Sequence, residues 1–506
     1  MKIVLLTPAR RFIANRWGLG YQVPLGLVLI GGPLVDDGHR VRLVDNDVHG
    51  WDDARLIREL APDLPDSILL GHTGSTAAHP AAMRTAAALR TAFPRARLVY
   101  GGVFPSYAAE TVLRENPALD VVVRGEGEAT AVDLARVAVG DDLSGVRGIS
   151  WREGAEIREN PARPPIADLD QFRPGWELVQ WDAYRLFGAG RSAGMQFSRG
   201  CPLRCTFCGQ WSFWRKWRHR SPANFVGELE LLARRFGVRF VWLADENFAA
   251  DRELTRDVLG RLAARDLGLS LNLNMTAADV VRDQDLLPLY KRAGVDNVVL
   301  GIETLDDPTI EKIGKNNPRG VSRAACRLLR QNQIVSFVNV IYGLQDETPA
   351  TLRETFRGLL EIDPDIVNAC YLTPHSWTPA GRRTRPDQIV QPDLERFTYR
   401  NPVVHTPGLS TRELFLGVKL TEALFHLRPR GVARLWTSRD RFRRIFRSFM
   451  GSGFRVFLAE IGEFLFGTEW VSPGTLERIP GYPVTNPRPP SLIFGDKNEQ
   501  VHRSTR

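Results

Sequence analysis

Three of the chain's five cysteines, Cys201, Cys205 and Cys208, fall within the single stretch SRGCPLRCTFCGQW. Thiolates spaced this closely can converge from one loop on a metal centre, and sulfur ligands suit zinc or iron–sulfur chemistry. Three is one short of a closed tetrahedral set. A structural zinc site needs a fourth ligand, for which His219 is the nearest histidine. A cluster held by three thiolates instead leaves one iron open to a further molecule. Carboxylates at Asp245 and Glu246 ("LADEN") and at Glu303 ("LGIE") stand at the ends of strand-like runs, where they meet a ligand or cap the next helix. The remaining thiols stand apart, Cys326 as a core helix residue and Cys370 as a strand residue.

These groups need a scaffold, and hydrophobic patterning predicts an α/β one. Over residues 1–140, the runs KIVLL, VRLVD, SILLG, RLVYGG and DVVVRGEGE alternate with helix-length intervals. That rhythm implies a parallel, doubly wound sheet with its site at the carboxyl ends of the strands. The unusual residues of this block lie there: Thr73 and Ser75 in GHTGST, the pair Gly101 and Gly102, and Glu126 in RGEGE, which can alternatively cap its helix. Residues 141–190 read as a linker, because the prolines of ENPARPPIADLDQFRPGW deny it regular structure. Residues 191–390 repeat the βα alternation through six strand-like segments, which suggests a partial β/α barrel. A helical region is expected over 391–478 and a disordered tail over 479–506.

Composition narrows the class. The chain of 506 residues exceeds one compact core, and its 43% hydrophobic and 25% charged residues are those of a soluble protein. Few cysteines, and an opening apolar run cut short by Pro8, argue against a disulfide framework or an export signal and for a reducing cytoplasm. The net charge of +9 favours anionic partners. No basic and aromatic stripe outside the cysteine region suits nucleic acid. Residues 434–450, RLWTSRDRFRRIFRSFM, would form a basic amphipathic helix, suited either to peripheral contact with an anionic membrane or to packing on the barrel.

The cysteine spacing, with Phe207 just before Cys208, resembles the CxxxCxxC signature of radical S-adenosylmethionine enzymes. The resemblance implies a 4Fe-4S cluster on Cys201, Cys205 and Cys208, with S-adenosylmethionine chelated to the open iron and a one-electron reductant such as flavodoxin or ferredoxin. It places Phe207, Asp245, Glu246 and Glu303 near that cofactor. YGLQDET resembles the family's fifth-strand turn, from which Gln345 and Asp346 depart.

The first block resembles the cobalamin-binding domain of the cobalamin-dependent subclass, and no G-x-G-x-x-G follows its first strand to favour a dinucleotide instead. Thr73, Ser75, Gly101, Gly102 and Glu126 are its cobalamin-side candidates; glycines there let backbone approach a flat ring. His49 reads as an ordinary loop histidine, which leaves cobalamin without a protein nitrogen on its lower face.

Longer stretches, among them DLDQFRPGWELVQWDAY, RDQDLLPLYKRAGVDNVVLGIET and YLTPHSWTP, resemble the anaerobic magnesium-protoporphyrin IX monomethyl ester oxidative cyclases. The implied reaction builds the fifth ring of bacteriochlorophyll, with a keto oxygen from water. Methyltransferases that carry a methyl group through cobalamin to a pyrrole-type or other scaffold share the architecture and are the alternative. Trp211, Phe213, Trp214 and Trp217, interleaved with Arg215, Lys216, Arg218 and Arg220, would hold a flat, carboxylate-bearing substrate by stacking and ion pairing, or close the barrel mouth with solvated arginines.

Overall fold

Short apolar runs become the parallel strands of a first sheet: β1 (Lys2–Thr7), β2 (Arg40–Asp45), β3 (Ser67–Leu70), β4 (Arg97–Gly101) and β5 (Val121–Val123). They lie in the order β2-β1-β3-β4-β5 in a computed structural model that describes every residue except 10–19, 73–75, 187–189, 316, 392, 438–439 and 467–506. Alternate side chains go to opposite faces. Ile3, Leu5 and Leu69 pack with Leu27 and Val28 on one side, whereas Val4, Leu6 and Ile68 pack with Ala82 and Leu89 on the other. Both faces are therefore buried under helices, as a doubly wound sheet requires.

The stretch read as a linker is partly sheet. β6 (Ile149–Glu153) and β7 (Glu156–Glu159) form an antiparallel hairpin that extends the first sheet beyond β5. Gly154, at φ +58°, makes its turn, and Asn160 fixes its end by donating to the carbonyls of Leu143 and Val146. The proline-rich run lies beyond this hairpin.

The second sheet holds β8 (Arg191–Met195), β11 (Val238–Leu243), β12 (Ser270–Met275), β13 (Val295–Glu303), β14 (Val335–Tyr342) and β15 (Ile366–Tyr371), all parallel and in chain order. A two-residue antiparallel pair, β9 (Ser198–Arg199) and β10 (Arg218–His219), brackets the cysteine stretch between β8 and β11. Outward residues such as Leu271, Leu273, Val298 and Val340 join the main core. The barrel's lower interior is closed differently: Phe240, Val335 and Ile366, near the starts of their strands, pack with Phe446 and Phe449 of the C-terminal helix Asp440–Phe466.

Of the two readings of 434–450, this packing agrees with the one that sets it on the barrel. Phe446 and Phe449, 1% and 6% exposed, plug the barrel rather than face outward, and Arg434 pairs with Asp363 and Asp365. The helix packs on the barrel because its aromatic side chains fill space that the strands leave open. Among the described residues no helix is long and apolar enough to cross a membrane. The expected tail, 479–506, lies outside the described residues.

Candidate active site

The cysteine loop leaves β9 through Gly200, which sits at φ +93°; a Cβ there would meet the Lys216 carbonyl oxygen at 2.6 Å, so the tight turn needs glycine. Beyond the turn the loop is clamped. Thr206 donates to the Ile313 carbonyl (3.0 Å) and accepts from the Ala380 amide (2.9 Å), while Trp211 Nε1 donates to the Cys205 carbonyl (3.1 Å). At the far end a Cβ on Gly209 would overlap Trp377. Segments after β13 and after β15 thus hold the loop at the carboxyl end of the barrel. Phe207 lies in the same loop and is half-buried.

Burial pushes the Cys201 thiol up to about 12 and the Cys208 thiol up to about 11, and the neighbouring sulfurs add to both shifts. Thiolates in such surroundings call for positive charge beside them, which a bound metal centre supplies. Among the described residues no three His, Cys, Asp or Glu side chains converge as ligands of one ion. His219 Nδ1 lies 2.9 Å from its neighbour's carbonyl at Arg220, and its ring packs beside Trp217 and Phe197, so it is not placed as a fourth zinc ligand. A 4Fe-4S cluster fits the donor set better, since its thiolates bind separate irons and need not meet at a point.

The carboxylates divide into distinct roles. Asp245 is fully buried and accepts from the Phe197 and Ser198 amides (3.0 and 2.6 Å) and from Ser198 Oγ. It ties β11 to the entrance of the cysteine loop, and burial raises its pKa to about 6 against those hydrogen bonds. Glu246 accepts from Trp214 Nε1 (2.7 Å) and from the Gly200 amide (3.1 Å); burial, with Asp245 beside it, raises it to about 7. Glu303 ends β13 at φ +68°, an uncommon conformation for a side-chain-bearing residue, and pairs with buried Lys315 at 2.5 Å. Neither Asp245 nor Glu303 makes a helix cap; Asp306 caps the helix after β13.

Glu126 lies between the two sheets. It accepts from Arg218 (2.8 Å), Arg199 (3.2 Å) and the Ile166 amide (2.5 Å). The helix cap allowed for Glu126 is not formed, because those donors hold its carboxylate and the next helix, Glu128–Arg136, has no side-chain cap. Arg199 also bonds Glu128 and stacks over Trp214, 5.2 Å from the ring centre. Hence two arginines of the cysteine region are held by partners: Arg218 by Glu126 of the first domain, and Arg220 by Glu228 and Asn224 of the helix Pro222–Arg235 that follows it. The alternative of solvated arginines fails for both, since burial demands partners. Arg215 and Lys216 remain exposed, with half-buried Trp211, Phe213, Trp214 and Trp217 beside them.

At the carboxyl end of β4, Gly102 sits at φ +124° with nothing within 4 Å of a Cβ position, while a Cβ on Gly101 would make ordinary contact with Val123. Thr73 and Ser75 lie outside the described residues. His49 follows edge strand β2 and stacks on Trp51, ring centres 4.1 Å apart. Facing the β4 rim is an aromatic wall that pattern reading did not single out: Tyr107 stacks on Trp377 (5.2 Å), which stacks on His375 (4.7 Å), and Thr76 Oγ1 bonds His375 Nδ1 (3.0 Å). Among the described residues, buried Trp377 Nε1 has no partner. A Cβ at Gly102 would meet nothing within 4 Å, so the backbone at the β4 rim is open on that side. Lys315 was missed as well; in sequence it is a lone lysine after a glycine, and only the fold brings it to Glu303.

Comparison with known proteins agrees with this assembly. Residues 19–135 match the B12 binding domain family and residues 195–359 the radical SAM superfamily. The chain is 36% identical to the anaerobic magnesium-protoporphyrin IX monomethyl ester cyclase of Synechocystis over 97% of its own length and 99% of the relative's. It is 26% identical, over 85% of its length and 93% of the relative's, to a Pyrococcus horikoshii protein described as an uncharacterized methyltransferase. The solved radical S-adenosylmethionine methyltransferase TsrM from Kitasatospora setae, with cobalamin and a [4Fe-4S] cluster bound, shares the fold at a TM-score of 0.66 and 17% identity, covering 90% of this chain and 99% of that one.

Proposed function

Because the chain belongs to the cobalamin-dependent radical S-adenosylmethionine enzymes, as a relative of the anaerobic magnesium-protoporphyrin IX monomethyl ester cyclase, we propose that it catalyses that oxidative cyclisation, forming the isocyclic ring with a keto oxygen from water. The observation that carries the reading is end-to-end similarity to the cyclase, including both domains and the C-terminal helices. When bound, the 4Fe-4S cluster, S-adenosylmethionine and cobalamin supply reductive cleavage to a 5′-deoxyadenosyl radical, with the electron from a flavodoxin- or ferredoxin-type donor.

The chain's own residues hold and orient the reactants. Cys201, Cys205 and Cys208 are the cluster ligands, and Asp245 fixes the strand that leads to them. Glu246 and Glu303 are the carboxylates that meet the cofactor, Glu303 with its charge balanced by Lys315. Gly101 and Gly102 give cobalamin its approach at the β4 rim, opposite Trp377. Trp211, Phe213 and Trp217 offer aromatic faces to the tetrapyrrole, and Arg215 and Lys216 are the exposed cations left to meet its free carboxylate.

A C-methyltransferase is the second reading, favoured by the methyltransferase relative that also spans both domains. Incubating the reconstituted enzyme with magnesium-protoporphyrin monomethyl ester and methyl-labelled S-adenosylmethionine separates the two. A cyclised product without label supports the cyclase; label in the product overturns it.

A further inference from the structure

The outer side of the C-terminal helices carries an apolar surface that the reaction does not use. In the helix Thr411–His426, Leu416, Leu420 and Leu424, followed by Leu427, recur at helical spacing and are exposed, up to 70% at Leu427. The same helix buries Leu414, Phe415, Val418 and Phe425 on its opposite side. The helix Asp440–Phe466 runs antiparallel to it, as shown by Phe415 stacking on Phe464 (4.6 Å) and Lys419 bonding Glu460 (2.7 Å). Its exposed Phe454 and Leu458, 60% and 52% exposed, lie opposite buried Phe449, Val456 and Glu460. Two apolar stripes thus point away from the barrel on neighbouring helices, and a surface of this kind marks an interaction site.

Its surroundings are cationic. Arg412 continues the leucine stripe at one end, and Arg447 continues the Phe454 stripe at the other, stacked on exposed Trp436 at 5.6 Å. Arg430 and Arg455 are also exposed, and among the described residues no carboxylate pairs with any of these four arginines. Glu413, at the Arg412 end, is turned back to cap its own helix through Ser410. Leucine and phenylalanine ringed by arginine, with a tryptophan at the edge, match the acyl boundary and headgroups of an anionic bilayer.

We propose that this face docks the protein on an anionic membrane surface, with Leu420, Leu424, Phe454 and Leu458 at its centre. The inference does not depend on which reaction the barrel carries out. It shares Trp436 and Arg447 with the stretch 434–450, but its apolar centre lies on other residues, because Phe446 and Phe449 of that stretch fill the barrel.

The test is sedimentation of the full chain with vesicles of phosphatidylcholine alone or with phosphatidylglycerol added, alongside its molar mass in solution. The expected result is binding to the anionic vesicles only, weakened by salt. Leu420→Glu with Leu424→Glu should reduce it by more than about tenfold, and Arg447→Glu should weaken it separately, both with unchanged cluster absorbance. A protein that stays in the supernatant, or a Leu420→Glu/Leu424→Glu variant that sediments undiminished, overturns the proposal. Change from dimer to monomer in that variant, without vesicle binding by the parent, would assign the face to a second copy of the chain instead.

Discussion

Arg199, on the strand that enters the cysteine loop, is ion-paired across the domain boundary to Glu126 at 3.2 Å, with both side chains 7% exposed. The same guanidinium bonds Glu128 and stacks over Trp214, whose indole donates to Glu246, which in turn accepts from the Gly200 amide. A continuous set of contacts therefore joins the rim of the first sheet to the residue before Cys201. Relative placement of the two domains and shape of the cysteine loop are set by one network.

Replacing Arg199 tests that network. Glu126 retains Arg218, but Glu128, buried at 4% exposure, loses its cation. Arg199→Met should cost about 3 kcal/mol of stability, and Glu128→Gln in the same chain should recover most of it. Urea unfolding of the single and double variants measures both; an unchanged single variant contradicts the assignment.

For the cluster, alanine at any one of Cys201, Cys205 or Cys208 should abolish S-adenosylmethionine cleavage and lower iron and sulfide content after reconstitution. The first sheet, whose strands lie away from the cysteine loop, should still fold, and circular dichroism and cobalamin retention check that. Cys326→Ala, in a core helix, should leave iron content unchanged. A Cys205→Ala protein that cleaves S-adenosylmethionine as before would remove the loop from the chemistry.

Lys315 and Glu303 form a buried pair at 2.5 Å. Lys315→Met alone should destabilise by about 3 kcal/mol or more, because it strands the carboxylate. Adding Glu303→Gln should restore most of the loss in stability, yet not cofactor affinity, if the carboxylate meets S-adenosylmethionine. Equilibrium dialysis of S-adenosylmethionine against the four proteins of the cycle separates the two effects.

Acid should loosen the first domain through His79. Burial lowers its pKa to about 4, with the ring packed on Phe104 at 4.7 Å. A histidine held neutral in the folded state contributes stability that is present above its unfolded pKa near 6.5 and is lost as pH falls toward 4, by up to about 3 kcal/mol. His79→Phe should flatten stability against pH in that window, relative to the parent, in denaturant titrations from neutral pH downward. Parallel profiles for the two proteins would contradict it.

Strand positions were legible because buried parallel strands are nearly continuous apolar runs, and the cysteine motif was legible because its ligands share one loop. The β6–β7 hairpin was hidden by its polar composition, REGAEIRE, which an edge hairpin tolerates and a central strand would not. Asp245 and Glu126 were visible as residues, but their bonds to Ser198 and Arg199 span 47 and 73 positions of chain. Such partners follow from how the barrel and first sheet dock. The same holds for Trp377, which reaches Tyr107 only because the segment after β15 returns over the cysteine loop.

The most direct measurement of the central claim is the source of the product's new oxygen. Reconstituted protein, reductant, S-adenosylmethionine and magnesium-protoporphyrin monomethyl ester are incubated anaerobically in oxygen-18 water, and the pigment is analysed by mass spectrometry. The expected result is a cyclised product whose keto group carries the heavy oxygen, formed together with 5′-deoxyadenosine. A product with no solvent oxygen and one added methyl group would contradict the cyclase and establish a methyltransferase.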